Sequence, residues 1–215
     1  MAAARFANQR ALAQRVSARL AAACAGSTVR LRGSLAEHTD DAYSDIDLLW
    51  IVPDGQVAHR AAQVAGVLSP VAQVESIRSD PDMARSPVRR LLFVRFAGLP
   101  LYWRLDLDVR AASCADDDRA GLDDPDARGT DWSLAESAAM NAIAAVKALW
   151  RGRAEEADGL LVRGFARLSA TDPGGGWAGR VTALASGAAR REPRLQALAE
   201  RIDELELPPD LPDVG

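Results

Sequence analysis

The segment Leu31–Val52 reads LRGSLAEHTDDAYSDIDLLWIV and decides how the first half of the chain folds. A short apolar run ends at Gly33-Ser34, and a second apolar run follows Asp45 and Asp47. Because alternate residues of a strand point to the same face, Asp45 and Asp47 project side by side while Ile46 points into the core. The order of residues therefore predicts a buried strand with two carboxylates at its entrance.

Both parts of this segment suit the chemistry of a bound triphosphate. Neighbouring carboxylates raise each other's pKa unless a cation lies between them. Their hard oxygen ligands suit Mg²⁺, and two such ions about 4 Å apart clamp the oxygens in phosphoryl and nucleotidyl transfer. Gly33 lets backbone N–H groups approach a phosphate, and Ser34 adds a hydroxyl donor. Ser34 has a second interpretation, as the N-cap of a short helix beginning near Leu35.

A third carboxylate is expected on a later strand. Residues 90–111 read RLLFVRFAGLPLYWRLDLDVRA, which predicts two strands joined by residues 97–100. The second predicted strand alternates, and its polar face carries Tyr102, Arg104, Asp106, Asp108 and Arg110. Asp106 or Asp108 is positioned to complete a metal site and to accept the proton of an attacking hydroxyl. Arg104 contacts either a phosphate or a neighbouring carboxylate.

The spacing Gly-Ser, ten residues, Asp-x-Asp resembles the signature of the DNA polymerase β nucleotidyltransferase superfamily. The run Arg104-Leu105-Asp106-Leu107 looks like that superfamily's third-carboxylate motif, so Asp106 is preferred to Asp108. The resemblance implies that Asp45, Asp47 and Asp106 are catalytic ligands of two Mg²⁺ ions, with ATP or another NTP as co-substrate. One departure is Glu37-His38, where the superfamily often has a small residue or glycine.

The pattern along the chain predicts an α+β fold: a small mixed β-sheet nucleotidyltransferase domain flanked by helices, then a C-terminal helical bundle. Domain boundaries are expected at 1–128 and 129–215, with an acidic linker over 115–131. The predicted strands are Thr28–Arg32, Ile46–Val52, Val71–Ile77 and the two within 90–111. The predicted helices include 2–24, Val57–Leu68 and Leu134–Trp150.

The helical half is similar in architecture to that of small-molecule, aminoglycoside-type nucleotidyltransferases, in which helices help to form the acceptor pocket. Lys147 is the only lysine of the chain, which suggests a phosphate contact in the nucleotide site. Its alternative is a solvated charge near a helix C-terminus. Glu136 is either an acceptor-activating base or the N3 residue of the capping box Ser133-x-x-Glu136, and the capping role is preferred.

These features predict Mg²⁺-dependent transfer of a nucleoside monophosphate, AMP from ATP, to a hydroxyl of a small molecule such as an antibiotic. The alternatives are an antitoxin-type protein adenylyltransferase acting on a partner toxin, and a non-catalytic nucleotide-binding module. A net charge of −4 argues against a nucleic-acid partner. No run approaches the roughly 18 apolar residues of a membrane span. Two widely spaced cysteines predict reduced thiols and a cytoplasmic location.

Overall fold

The computed structural model describes residues 7–122, 124–129 and 132–209. It has the predicted α+β class, and the chain divides into two compact units, Met1–Trp132 and Ser133–Gly215. The strands are β1 (Thr28–Arg32), β2 (Ile46–Val52), β3 (Val74–Ser79), β4 (Arg89–Phe96) and β5 (Leu105–Ala111). The α-helices are α1 (Gln9–Ala23), α2 (Gly33–Glu37), α3 (Val57–Leu68), α4 (Leu134–Trp150), α5 (Ala154–Arg167), α6 (Trp177–Arg191) and α7 (Gln196–Asp203).

The first unit is built on a mixed five-stranded sheet of order β1-β2-β5-β4-β3. The central pair, β2 and β5, is parallel, and the other neighbours are antiparallel. Parallel pairs are usually buried, and both central strands are inaccessible along most of their length. Strand β5, the parallel neighbour of β2, lies about sixty residues further along the chain.

Two strands begin later than the sequence predicts, because the preceding residues use their backbone groups in turns. The N–H groups of Val71 and Ala72 donate to the Leu68 carbonyl and extend the end of α3, so β3 begins at Val74. Residues 101–104 form a turn in which the Trp103 N–H donates to the Pro100 carbonyl at 3.0 Å. Strand β5 begins after that turn, at Leu105.

Helices α1 and α3 cover one face of the sheet and form the core with it. In α1 the apolar residues recur every four positions, and Leu12, Val16 and Leu20 are fully buried. Helix α1 begins at Gln9, after an Asn8 N-cap whose side chain accepts from a backbone N–H. The predicted start at residue 2 lies outside the described residues. The opposite face of β2 and β5 carries the charged side chains discussed below.

The second unit is a set of helices around α4, which packs against α5, α6 and α7. Nearly every residue of α4 is buried, and Ala at many of its positions lets neighbouring helices approach closely. The closest approach is at Gly164 of α5, where a Cβ atom would overlap Leu184 and lie 3.3 Å from the Asn141 Cβ. An alanine there would force the Leu184 side chain to move within a closely packed core.

Two predictions about the chain's surroundings concern membranes and thiols. Within the described ranges, no helix combines the length and the apolar character needed to cross a membrane. Cys24 is buried, Cys114 is half-buried, and both are free thiols.

Candidate functional site

The three predicted carboxylates meet at the entrance of the parallel strand pair. Asp47 on β2 is the register partner of Asp106 on β5, and Asp45 immediately precedes β2. The charges of Asp45 and Asp47 both act on Asp106. Asp106 is thus brought next to Asp45 and Asp47, about 60 positions earlier in the sequence, because two parallel strands begin at the same edge of the sheet.

The loops that lead into the two strands are fastened to each other. The Ile46 N–H donates to the Arg104 carbonyl at 2.8 Å, which aligns the strand entrances. Tyr43 and Tyr102 meet edge to face with ring centroids 5.1 Å apart. These contacts fix the backbone on both sides of Asp45, so its direction is set before any ligand binds.

Arg104 supplies the positive charge of this carboxylate group. Its guanidinium forms a two-pronged ion pair with Asp106, with N–O distances of 2.5 and 2.7 Å, and lies 3.6 Å from Asp45. The Phe93 ring supports the guanidinium from one side, with the Arg104 Cζ 5.2 Å from its centroid. Of the two contacts considered for Arg104, the structure contains the ion pair.

The pKa values of the pair reflect burial first and the neighbouring charges second. Burial raises the pKa of Asp106, Arg104 partly offsets this, and Asp45 and Asp47 raise it further, to about 6. Burial alone would lower the pKa of Arg104, but Asp106, Asp45 and Asp47 raise it above its ordinary value. The Asp106 carboxylate is therefore less readily ionised than an ordinary aspartate, and burial is the main cause.

Gly33 lies directly against the Asp47 carboxylate. Its φ of +58° is in the left-handed region, and a Cβ atom there would overlap the carboxylate oxygen and lie 3.0 Å from its carbon. Only glycine satisfies both conditions at low cost. The proposed phosphate turn therefore lies against the Asp47 carboxylate, with no room for a side chain at position 33.

Ser34 is the second residue of α2, and its side chain is half-buried. The helix begins at Gly33 and has Arg32 as its N-cap, so the alternative in which Ser34 caps this helix is wrong. The physical reason is that the left-handed Gly33 already turns the chain, leaving Ser34 inside the first helical turn. The Ser34 carbonyl accepts from the Thr39 N–H at 3.0 Å, which closes the short helix.

Asp108, the other candidate for the third carboxylate, has a different environment. Its register partner on β2 is Leu49, and it is not next to Asp47. Arg89 donates to both of its oxygens at 3.0 Å, and Arg110 donates to one of them at 2.6 and 2.9 Å. The geometry thus favours Asp106 as the partner of Asp47 and gives Asp108 an arginine-bound structural role.

A cavity of about 420 Å³ opens beside these carboxylates. Its lining includes Arg32, Gly33, Asp47, Asp106, Arg110 and Asp118. Of these and the other lining residues, Arg32, Arg89 and Asp118 were not among the site residues predicted from the sequence, and no role in the site was predicted for Arg110. The alternation of β5 placed Arg110 on the polar face, and Arg32 directly precedes Gly33, so those two had a sequence signal. Asp118 had none, because it lies in a segment without periodicity.

Asp45, Asp47 and Asp106 are the predicted ligands of a divalent cation. Among the residues that the structure describes, no group of three His, Cys, Asp or Glu side chains is arranged as a ready metal site. Arg104 holds both oxygens of Asp106 and approaches Asp45. The donors themselves are hard carboxylate oxygens with excess negative charge, which fits Mg²⁺ chemically.

Glu136 and Lys147 lie on α4 in the second unit, and both are buried. The Ser133 Oγ accepts from the Glu136 N–H at 2.9 Å, so Ser133 is the N-cap of α4. The Glu136 carboxylate accepts from Arg194 at 2.9 Å. Both contacts of Glu136 are structural, in agreement with the preferred interpretation. Lys147 is a buried residue of the last turns of α4, so its alternative as a solvated charge is wrong.

Comparison with known proteins gave little similarity. No protein-family model matches the chain, and no curated protein matches it. One solved structure to which it is similar is described as "structure of GLD-2/RNP-8 complex", with a TM-score of 0.35 and 14% identity. The match covers 80% of this chain, which spans 56% of that chain. This degree of likeness supports neither a shared fold nor a shared activity, so function is inferred from the chain's own residues.

Proposed function

We propose that this chain is a nucleotidyltransferase that moves a nucleoside monophosphate, AMP from ATP, onto a hydroxyl of a small-molecule acceptor. The observation that carries the proposal is the row Gly33, Asp47 and Asp106. A glycine turn suited to phosphate is in contact with a carboxylate whose strand partner is a second carboxylate. A purely structural sheet edge has no need for a glycine against repelling acids.

In the proposed reaction, the hydroxyl oxygen of the acceptor attacks the α-phosphorus, and the bond to the bridging oxygen of the β-phosphate breaks. Pyrophosphate leaves, and the hydroxyl proton passes to a base, for which we propose Asp106. Gly33 and Ser34 hold phosphate oxygens through backbone N–H groups and the hydroxyl. Catalysis then derives mainly from positioning and charge compensation.

Asp45, Asp47 and Asp106 are the residues proposed to hold Mg²⁺. When bound, Mg²⁺ supplies neutralisation of the triphosphate charge and polarises the reacting oxygens. Arg104 pairs with Asp106 and approaches Asp45, and its donation to Asp106 would have to weaken for that carboxylate to hold a metal. Burial, and after it the charges of Asp45 and Asp47, raise the pKa of Asp106, and a bound Mg²⁺ would lower it again.

The test is transfer of label from NTPs radiolabelled at the α-phosphate, with Mg²⁺, to a panel of hydroxyl-bearing small molecules and to a cell extract. We expect labelled product and stoichiometric pyrophosphate release with the wild-type protein, and neither with Asp47→Asn. The matched control is Asp82→Asn, which removes an exposed carboxylate from the same unit and leaves transfer unchanged. Transfer by Asp47→Asn at the wild-type rate, or no transfer from any of the four NTPs, contradicts the proposal.

A further inference from the structure

A single carboxylate oxygen lies between two arginines at the mouth of the cavity. The Asp118 Oδ1 is 2.8 Å from a terminal nitrogen of Arg110 and 3.2 Å from a terminal nitrogen of Arg32. Arg110 is 1% exposed, whereas 70% of the Asp118 side chain is exposed. Two guanidinium groups, one of them buried, therefore converge on the position of one anionic oxygen.

This position belongs to the same cavity as the proposed phosphate turn. Arg32 directly precedes Gly33, and both line the cavity with Asp47, Arg110 and Asp118. The two arginines lie at the end of β1 and within β5, on strands that flank β2. An anion held by them would thus lie on the sheet face next to Gly33 and Asp47.

The loop that carries Asp118 is fastened by its backbone. Arg110 donates to the carbonyl oxygens of Ala115 and Asp117 at 3.3 and 3.0 Å, and Arg89 donates to that of Asp118 at 2.6 Å. None of these bonds uses the Asp118 carboxylate. The carboxylate can therefore leave the arginines, or be replaced, while the loop keeps its main-chain attachments.

We propose that Arg32 and Arg110 form a subsite for a phosphate group of a polyphosphate ligand, and that the chain's own Asp118 carboxylate occupies it and competes with that ligand. Guanidinium pairs bind carboxylate and phosphate oxygens with the same geometry, and a phosphate brings more charge and more acceptor atoms. Hydrogen bonds from Arg110 and Arg32 lower the pKa of Asp118, so this competitor is charged at neutral pH. The choice of a polyphosphate rests on the proposed function, while the subsite itself rests on the contacts.

The test is calorimetric titration of the full chain with pyrophosphate in the absence of divalent cations. Asp118→Asn removes the charge but keeps a side chain of the same shape, and we expect it to tighten pyrophosphate binding by about tenfold, the order of a hydrogen bond to a charged group. Asp116→Asn is the matched control. It removes an equal charge from the same loop, where Asp116 pairs with the exposed Arg30, and should change binding by less than about twofold, as an exposed pair does.

A second variant tests the arginine. Adding Arg32→Gln to Asp118→Asn should remove the gain, and circular dichroism of each variant verifies that the fold is kept. The proposal is overturned if Asp118→Asn binds pyrophosphate no more tightly than wild type, or if Asp116→Asn tightens it equally. Nucleotidyl transfer plays no part in this measurement, so the subsite and the proposed activity fail independently: tighter binding with no transfer from any NTP would retain the first and reject the second.

Discussion

Two aspartates on the charged face of β5, Asp106 near its start and Asp108 further along, lie in opposite electrostatic surroundings. Burial and, less strongly, the carboxylates of Asp45 and Asp47 raise the pKa of Asp106 to about 6, although its partner Arg104 lowers it. Asp108, two residues on, is held by Arg89 and Arg110 and faces an apolar residue on β2. The ionised form of Asp106, at one end of this comparison, is disfavoured, whereas that of Asp108, at the other end, is held by two arginines.

The difference separates a site that can bind from a site that holds the fold together. A carboxylate with excess like charge around it gains from a cation or a ligand, whereas a buried carboxylate with two arginines is already satisfied. Asp118 lies on the satisfied side, but its side chain is exposed and can be displaced. The cavity that both β5 aspartates line therefore has a cation-seeking half around Asp106, which favours a bound cation, and an anion-seeking half around Arg32 and Arg110. The proposed nucleotide with its metal would use both halves.

The largest expected effect is on activity at the cation-seeking end. Asp106→Asn should reduce nucleotidyl transfer by at least roughly a thousandfold, as loss of a group that stabilises charge in a transition state does. Its loss of stability should be smaller than that of Asp108→Asn, because Asp45 remains 3.6 Å from Arg104 and burial already disfavours the ionised Asp106 carboxylate. Transfer assays and thermal unfolding measured in parallel check both statements, and a large loss of stability would show that Asp106 is structural.

At the other end the expected effect is on stability. Asp108→Asn leaves the buried Arg110 and the adjacent Arg89 without their shared partner, and should lower the free energy of unfolding by about 3 kcal/mol. Residual transfer per folded molecule should stay within about tenfold of wild type, since Asp108 is not next to Asp47. Urea unfolding measures the first quantity. An Asp108→Asn protein of wild-type stability would remove the contrast between the two ends.

A smaller effect is expected from Gly33→Ala, which places a methyl group against Asp47. We expect about a hundredfold loss of transfer from displacement of the carboxylate and about 1 kcal/mol of strain from the positive φ. Gly26→Ala is the control for strain, because φ is +77° there and the added Cβ meets only the Pro53 side chain at 3.8 Å. If both variants keep full transfer, the contact between Gly33 and Asp47 has no role in activity.

The smallest effect concerns an ordinary compensated carboxylate in the helical unit. Hydrogen bonds from the buried Arg180 lower the pKa of Asp172 in the folded protein. The unfolded chain then binds more protons, so this contribution to stability is present above the ordinary value of 3.8 and is lost as pH falls through the lowered pKa. Asp172→Asn should cost about 1 kcal/mol near pH 7.

The measurement is the melting temperature of wild type and Asp172→Asn between pH 2.5 and 7, and the two curves should converge at the acid end. Asp158→Asn is the comparison, since Asp158 pairs with the same Arg180 but is about half exposed and should have less effect. Curves that stay parallel down to the lowest pH would show that the ionised Asp172 gains nothing from the fold. Asp172 could then no longer serve as the example of a stabilised, ionised carboxylate with which Asp106 is compared.

Several strands and helices of both units were predictable from local pattern. Strands β1 and β2 and helices α3 and α4 have the predicted bounds, because their apolar periodicity is regular and their ends carry turn or capping residues. The strand starts at Val74 and Leu105 were missed, since backbone hydrogen bonds of the preceding turns are not visible in a pattern of side chains. The alternative of Ser34 as the N-cap of α2 was wrong, because the left-handed φ of Gly33, which turns the chain one residue earlier, is not visible in the sequence.

The sequence by itself determined which residues share a strand face: Asp45 with Asp47, and Asp106 with Asp108 and Arg110. That follows from the two-residue period of a strand and needs no tertiary information. Only the tertiary structure decided that β5 lies beside β2, that Arg104 compensates the carboxylates, and that Asp118 reaches Arg32 and Arg110. Each of these depends on pairing between distant segments, which is selected by the packing of the whole core and is encoded in no single stretch of sequence.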